Sequence, residues 1–354
     1  MIPGATVIDV DVHNHPASVE DLVPYLDDHW REYLAKTAFA GPPDSAYPPA
    51  APNTGAAPAE VLGDRTRLEE AALGSGDAER AVLSCTYAVE SIHNPYAAQA
   101  MAAAANDWQA REWLAGDGGG RLGASIVVAS QDPDLAAEEI DRVAGTPGFV
   151  QVLLPLRSAV PYGNRRFRPI FAAAARHGLV VALHYGGSPG NPPTASGWPS
   201  YYAEQYAGMA AIAQTQLTSL IAEGLFDLLP TLRVTVAEAG FCWVPQWLWR
   251  ADKDWQMLGR EIPWVRSPPH EYVRRHVRFS LRPIDGPTDP QALARVVEET
   301  EPIHLGSLLM YASDFPHAHG DDEDLRFLDL VSPATRDRIL HDTAAAWYPF
   351  SERS

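Results

Sequence analysis

The sequence predicts an α/β chain folded as a (β/α)8 barrel of the TIM-barrel class, with an insertion after strand 1 and a long loop after strand 5. Three observations predict it. Eight short runs of apolar, β-branched residues recur along the 354 residues, with amphipathic segments between them. Most of these runs are continuously apolar, as expected of parallel strands covered by helices outside and packed side chains inside. Side chains capable of chemistry gather at or just past the ends of several runs, where barrel enzymes carry their sites. A doubly wound open sheet would need a Gly-rich nucleotide loop after its first strand, and HNHPAS is not one.

Taken in order, the strands are 6–11 (TVIDVD), 80–85 (RAVLSC), 121–128 (RLGASIVV), 148–154 (GFVQVLL), 178–184 (GLVVALH), 232–238 (LRVTVAE), 276–281 (HVRFSL) and 307–313 (SLLMYAS). Amphipathic segments 95–115, 134–144, 166–177, 203–223, 290–300 and 333–346 read as helices. Residues 17–79 form the insertion, and its 41–58 stretch, rich in Pro and Ala, reads as an irregular or extended loop, in part a linker. Residues 185–202 form the long loop after strand 5, opening an active-site loop and helix over 185–231. The chain is read as a single barrel domain, 1–354, without internal repeats.

Composition narrows the function. Hydrophobic residues make up 46%, enough for a large core, and the net charge of −18 with a pI near 5.0 argues against nucleic acid or anionic membrane as partner, because both need a basic surface. Cys85 and Cys242 sit in apolar, strand-like contexts and read as buried free thiols. With no signal-peptide pattern and no apolar run long enough to span a bilayer, the expectation is a soluble cytoplasmic protein.

The segment TVIDVDVHNHP carries the chemistry. A strand has a side-chain period of two, so His13 and His15 share a face, roughly 6–7 Å apart along the backbone, close enough to grip one metal ion. Alone, the pair reads equally as two surface histidines in a turn closed by Pro16. Strand 5, however, ends in His184, strand 6 in Glu238, and strand 8 runs into Asp314. A lone His after an apolar run is usually a hydrogen-bonded structural residue, and a lone Asp there is often a helix cap. Their joint arrival at the same end of one barrel predicts a metal centre.

With these residues in view the chain resembles the amidohydrolase superfamily, and within it the amidohydrolase-related branch of aminocarboxymuconate semialdehyde decarboxylase and related aromatic-acid decarboxylases. The resemblance spans nearly the whole chain. It rests on DVHNH, on GFVQVLLPLR followed by the strand ending in His184, on EAGFCWVPQWLWRAD, on SDFPH and on the helix NPYAAQAMAAAANDW. It implies that His13, His15, His184 and Asp314 hold a single divalent metal, zinc or manganese, and that the protein is a homodimer. It departs at one place: those decarboxylases tend to carry a His at the end of strand 6, where this chain has Glu238. A carboxylate there can bind metal, take a proton from water or pair with an arginine such as Arg250 or Arg282.

The reading is a metal-dependent enzyme acting on a small organic acid. Decarboxylation of an aromatic or unsaturated acid comes first. Hydrolysis of a C–N, C–O or C–C bond comes second, with hydration a further option, since the same residues serve all three. A non-enzymatic binding barrel comes last, because it predicts broken ligand positions and these are intact. Asp314 and Glu238 are the candidate acid–base groups, with His317 beside them orienting a ligand or substrate. Arg157 and Arg282, just past strands 4 and 7, are candidates for a substrate carboxylate, against salt bridges elsewhere. Trp243 is a candidate wall of an aromatic pocket, against a subunit interface for the cluster it forms with Trp247 and Trp249. His319, followed by Gly320 and two aspartates, reads as a helix cap.

Overall fold

A computed structural model describes residues 6–42, 59–73, 78–116, 120–187, 191–194, 196–317 and 322–350. Its eight strands form one sheet in which each pairs in parallel with the next: β1 Val7–Val12, β2 Ala78–Leu83, β3 Leu122–Val127, β4 Phe149–Arg157, β5 Val180–Gly187, β6 Arg233–Ala237, β7 Val277–Ser280 and β8 Leu309–Met310. The sheet closes between β1 and β8, where Val10 N–H donates to Tyr311 O at 3.0 Å and His13 N–H to Phe315 O at 2.8 Å. Every strand predicted from the sequence is present. β4 and β5 run longer than expected, and β8 shrinks to two residues because only Leu309 and Met310 pair with β7 before the chain turns to the β1 seam.

The predicted helices are present with their caps. Pro95–Trp108 starts on the Asn94 side chain, Pro133–Val143 on Asp132 and Pro290–Glu299 on Asp289, each with proline in the first turn, where its missing N–H costs nothing. The 203–223 segment splits at Gly208 into Tyr202–Ala207 and Met209–Ala222. Helices also form at Asp28–Lys36, Arg65–Leu73, Val244–Leu258 and Pro269–His276, which apolar periodicity did not flag. Asp28–Lys36 has a narrow apolar face, Trp30 and Leu34, which packs on the core while staying only partly buried. Of the 41–58 stretch, 43–58 lies outside the described residues, as does His319.

The core has two layers. Outside the barrel, residues such as Val152, Leu154, Val181, Leu183, Val234 and Phe279 pack against the helices. Inside, Ile8, Val10, Val82, Val150, Val180 and Met310 meet on the barrel axis, floored by the C-terminal Trp347 and Tyr348. The floor is tied down. Trp347 Nε1 donates to Thr235 Oγ1 at 3.1 Å, and the Arg278 guanidinium lies 4.3 Å over the indole ring. The side chains therefore close the strands' N-terminal end and leave the chemistry to the other. Trp347→Ala removes this floor and leaves Arg278 buried without its ring; the expected cost is about 3–5 kcal/mol of stability. Calorimetry should show a lower melting midpoint while metal uptake at the opposite face persists.

Candidate metal centre

The seam between β1 and β8 builds the site. Asp314 N–H donates to Asp11 O at 3.0 Å, in line with the His13–Phe315 bond, so Asp11, His13 and Asp314 stand side by side. His184 reaches the same level from β5, where it pairs with Pro155 of β4 and Ala237 of β6. Glu238 follows directly. Among the described residues Glu238 and Asp314 are the two non-glycine residues with positive φ, at 53° and 57°. Left-handed backbone costs a non-glycine residue on the order of 1–3 kcal/mol, and here it turns both carboxylates into the barrel mouth.

The turn after β6 is held on several sides. Glu238 N–H donates to Ser280 Oγ at 3.0 Å. The Asp285 carboxylate accepts from the N–H groups of Phe241 and Cys242 at 2.8 and 2.9 Å. Gly240 between them has a φ of +69°, and a Cβ there would lie 2.4 Å from Asp285 Cγ. Gly240→Ala should therefore lower the melting midpoint and weaken metal binding together, through the displaced Glu238 turn. An unchanged midpoint would mean the turn is not held this way.

Inside the mouth, imidazoles and carboxylates meet at close range. His13 Nε2 lies 2.9 Å from Asp314 Oδ1 and 3.9 Å from Asp11 Oδ1. His184 Nε2 lies 3.2 Å from Asp11 Oδ1, and His184 Nδ1 donates to Tyr185 O at 2.8 Å with Glu238 Oε2 at 3.3 Å. His317 Nδ1 lies between Asp314 Oδ1 at 2.9 Å and Glu238 Oε1 at 3.4 Å. Asp11 and Asp314 are wholly buried, and His13, His184 and Glu238 are nearly so. Two groups of ligand atoms result, each within 4.8 Å: His13, Glu238, Asp314 and His317 in one, Asp11, His13 and His184 in the other. They share His13.

These residues fit a divalent cation. With His184 Nδ1–H given to a carbonyl, the Nε2 of the neutral ring presents a lone pair, and it faces a carboxylate oxygen. Two acceptors face each other only when a cation lies between them. Asp11 Oδ2 is also buried with no hydrogen-bond partner. Without a metal, protons take the cation's place. Burial works against a charged His184, but Asp11 and Glu238 outweigh it and lift the imidazole to about 10. Burial likewise opposes a charged His317, and its bonds to Asp314 and Glu238 lift it to about 11. Burial pushes Glu238 up to about 7, with the charge of Asp314 adding to it. For Asp11, burial acts upward, yet His184 and His13 hold the carboxyl below its ordinary value.

The other expected residues are placed as follows. His15 lies outside both ligand groups; its N–H donates to Leu62 O at 3.0 Å and its Nδ1 to Pro16 O at 2.7 Å. Arg157 ends β4, two residues beyond Pro155, the register partner of His184, and it is nearly buried. Arg282 is nearly buried just past β7, its carbonyl accepting from Ser280 Oγ at 2.9 Å. Trp243 sits in the layer between sheet and helices. Its ring packs on Trp247 and Phe279, and its indole N–H donates to Ala239 O at 2.8 Å. Arg250, considered as a partner for Glu238, is exposed and pairs with Asp254 at 2.7 Å.

Two residues join the site that the sequence did not single out for it. Asp11 was visible at the strand end, and the period of two that selected His13 applies to it equally. Tyr206, on the short helix after β5, has its phenol raised by burial and by the charges of Glu238 and Asp314. It packs edge-on against Tyr185 at 6.1 Å, whose hydroxyl accepts from Gln205 Nε2 at 2.9 Å. No spacing rule marks such a residue, because it arrives on a short helix of the long segment after β5.

A closed parallel barrel with buried imidazoles and carboxylates at its C-terminal mouth is the architecture of the metal-dependent barrel enzymes. The chain belongs to the Amidohydrolase family, whose profile matches residues 10–350. Among curated proteins it is 31% identical over 162 residues to the gamma-resorcylate decarboxylase of Rhodococcus jostii, a match covering 42% of this chain and 45% of that enzyme. Among solved structures it is similar to 5-carboxyvanillate decarboxylase LigW from Sphingomonas paucimobilis, with 21% identity, a TM-score of 0.68 and coverage of 98% of this chain and 100% of that one. It is also similar to a dihydroxybenzoic acid decarboxylase from Polaromonas, solved with bound manganese and the inhibitor 2-nitroresorcinol, at 18% identity, a TM-score of 0.67 and coverage of 97% and 96%. An amidohydrolase from Mycobacterium avium subsp. paratuberculosis superposes with a TM-score of 0.72 at 21% identity, covering 98% of this chain and all of that one.

Proposed function

We propose that the protein is a metal-dependent decarboxylase of a small aromatic acid. The observation that carries this reading is the buried cluster of His13, His184, Asp314 and Glu238, in which acceptor atoms face one another across the space a cation would fill. The curated relative and the manganese-bound structural neighbour support the same chemistry. His13, His184 and Asp314 would hold the ion. Bound there, a divalent metal polarises a substrate carboxylate and an adjacent oxygen.

The reaction itself asks for a proton on the ring carbon that carries the carboxylate. Protonation there lets the C–C bond break, with its electron pair returning to the ring as CO2 leaves. His317 Nδ1 is placed to hold that proton between Asp314 Oδ1 and Glu238 Oε1, and either carboxylate can pass it on. Tyr185 and Tyr206 offer the ring an aromatic wall, and Arg157 a cationic group at the mouth of β4. Hydrolysis is the second reading. It is favoured by Glu238, a carboxylate turned into the cluster where it can take a proton from water.

Zinc and manganese both suit the donor set; the carboxylates favour manganese and the imidazoles zinc. The same reading has a homodimer in the cytoplasm. The exposed Trp249, Met257, Leu258 and Trp264, on and beside one helix, give such a dimer an apolar face.

The test is CO2 release from hydroxybenzoic acids, including gamma-resorcylate and 5-carboxyvanillate, by protein loaded with zinc or with manganese. Metal-dependent release is expected, and it should vanish in His184→Ala and in Asp314→Ala. A variant of either that keeps full activity would sink the assignment. Glu238→Gln should lower turnover by about 10²–10⁴-fold if its carboxylate handles the proton. Hydrolysis of amides or lactones without CO2 release from any acid would put the second reading first.

A further inference from the structure

The helix Tyr202–Ala207, in the segment after β5, has two unlike sides. Ala203, Glu204 and Ala207 are exposed, while Tyr202, Gln205 and Tyr206 are half-buried at the i, i+3, i+4 spacing of one helix face. We propose that the Tyr206 phenol is a specificity-determining hydrogen-bond donor, which meets an oxygen substituent on the substrate ring other than the one beside the carboxylate. The inference rests on the decarboxylase reading above and narrows its substrate class to aromatic acids with a second ring oxygen.

That face is anchored beside the metal centre. Its anchor is Tyr185, the residue after His184 on β5. Gln205 Nε2 donates to the Tyr185 hydroxyl at 2.9 Å, and the Tyr206 ring stands edge-on to the Tyr185 ring, 6.1 Å between centres and 88° between planes. The Tyr202 ring also packs on Tyr206, with centres 5.9 Å apart. The start of the helix is fixed by the Glu204 carboxylate, which accepts from the N–H groups of Ser200 and Tyr201 at 3.0 and 2.8 Å. The Tyr206 ring is therefore held before anything binds, which lowers the entropy cost of using its hydroxyl.

Hydrogen bonding separates Tyr206 from its neighbours on the face. Gln205 and Tyr202 both bond to Tyr185. The Tyr206 phenol makes no hydrogen bond among the described residues, although it lies in the field of Glu238 and Asp314. Burial and those two carboxylates raise it above the ordinary phenol value, so it stays protonated and acts as a donor. Because the charges acting on it are acidic, a neutral oxygen, as in a hydroxyl or a methoxy group, suits it better than a second carboxylate. A metal would already engage the substrate carboxylate and the oxygen beside it. An oxygen elsewhere on the ring pairs the phenol, and an acid without one leaves that donor unpaired in the complex.

The experiment compares salicylate, whose one hydroxyl lies beside the carboxylate, with the dihydroxybenzoic acids that add a second hydroxyl elsewhere on the ring. Manganese-loaded wild type is set against Tyr206→Phe, which keeps the ring on Tyr185 and removes only the hydroxyl. CO2 release gives kcat/KM, and calorimetry gives the affinity for the same acids. Tyr206→Phe should lower the preference for a dihydroxy acid over salicylate by about 3–10-fold, the worth of one hydrogen bond, whatever it does to both rates. Equal losses on every acid, or an unchanged preference, overturn the proposal. A binding preference that shifts as expected, with no CO2 released from any acid, would instead overturn the decarboxylase reading and keep the contact. Protein that binds none of the acids overturns both. A crystal complex with the preferred acid needs no variant. A ring oxygen about 2.7 Å from Tyr206 Oη supports the assignment, and a hydroxyl turned away from the ligand overturns it.

Discussion

The closing seam of the barrel is the constraint on which the rest depends. Four hydrogen bonds join the end of β1 to the segment after β8: Val10 to Tyr311, His13 to Phe315, Asp314 to Asp11, and Ser313 N–H to the Asp9 carboxylate at 3.0 Å. They convert an eight-stranded sheet into a cylinder. They also bring residues about 300 positions apart in sequence to adjacent places at its mouth. The residue spacing needed for a cation site is thus a by-product of closure. A one-residue slip along this seam would turn Asp314 away from His13 and scatter the cluster.

The two ends of the barrel divide the work. At the floor, the Trp347 indole has Thr235, Arg233 donates to the Trp347 carbonyl, and Arg278 has the face of a ring, although its Nε is buried without a hydrogen bond. At the mouth, oxygen and nitrogen lone pairs crowd one another, Asp11 keeps an orphaned oxygen, and two acidic residues hold left-handed backbone. Such a division is expected where binding or chemistry needs an arrangement that would not be stable on its own.

The strands and most helices were legible because their signals are local. Short apolar runs, most of them continuous, marked all eight strands, and amphipathic spacing marked the helices that start near 95, 133 and 290. The helix Asp28–Lys36 escaped because its apolar face is narrow, with Trp30 and Leu34 packed on the core but only partly buried. At the site, strand ends named His13, His184, Glu238 and Asp314, all of which meet. The period of two could not choose between Asp11 and His15 as the companion of His13. Trp243 reads as a pocket wall in sequence because it follows β6 closely. In three dimensions it caps the start of a helix and looks outward, onto Phe279. Tyr206 could not be found at all without knowing how the chain returns after β5.

The Trp347–Tyr348 floor has a kinetic meaning. Among the described residues, Ile8, Val10, Val82, Val150, Val180 and Met310 fill the axis down to that floor and leave no rear exit there. Whatever enters at the mouth must leave by it, past Tyr185, Tyr206 and Arg157. An enzyme built this way handles traffic in one lane: a reaction with two products releases them in sequence, and the slower one holds the door against the next substrate.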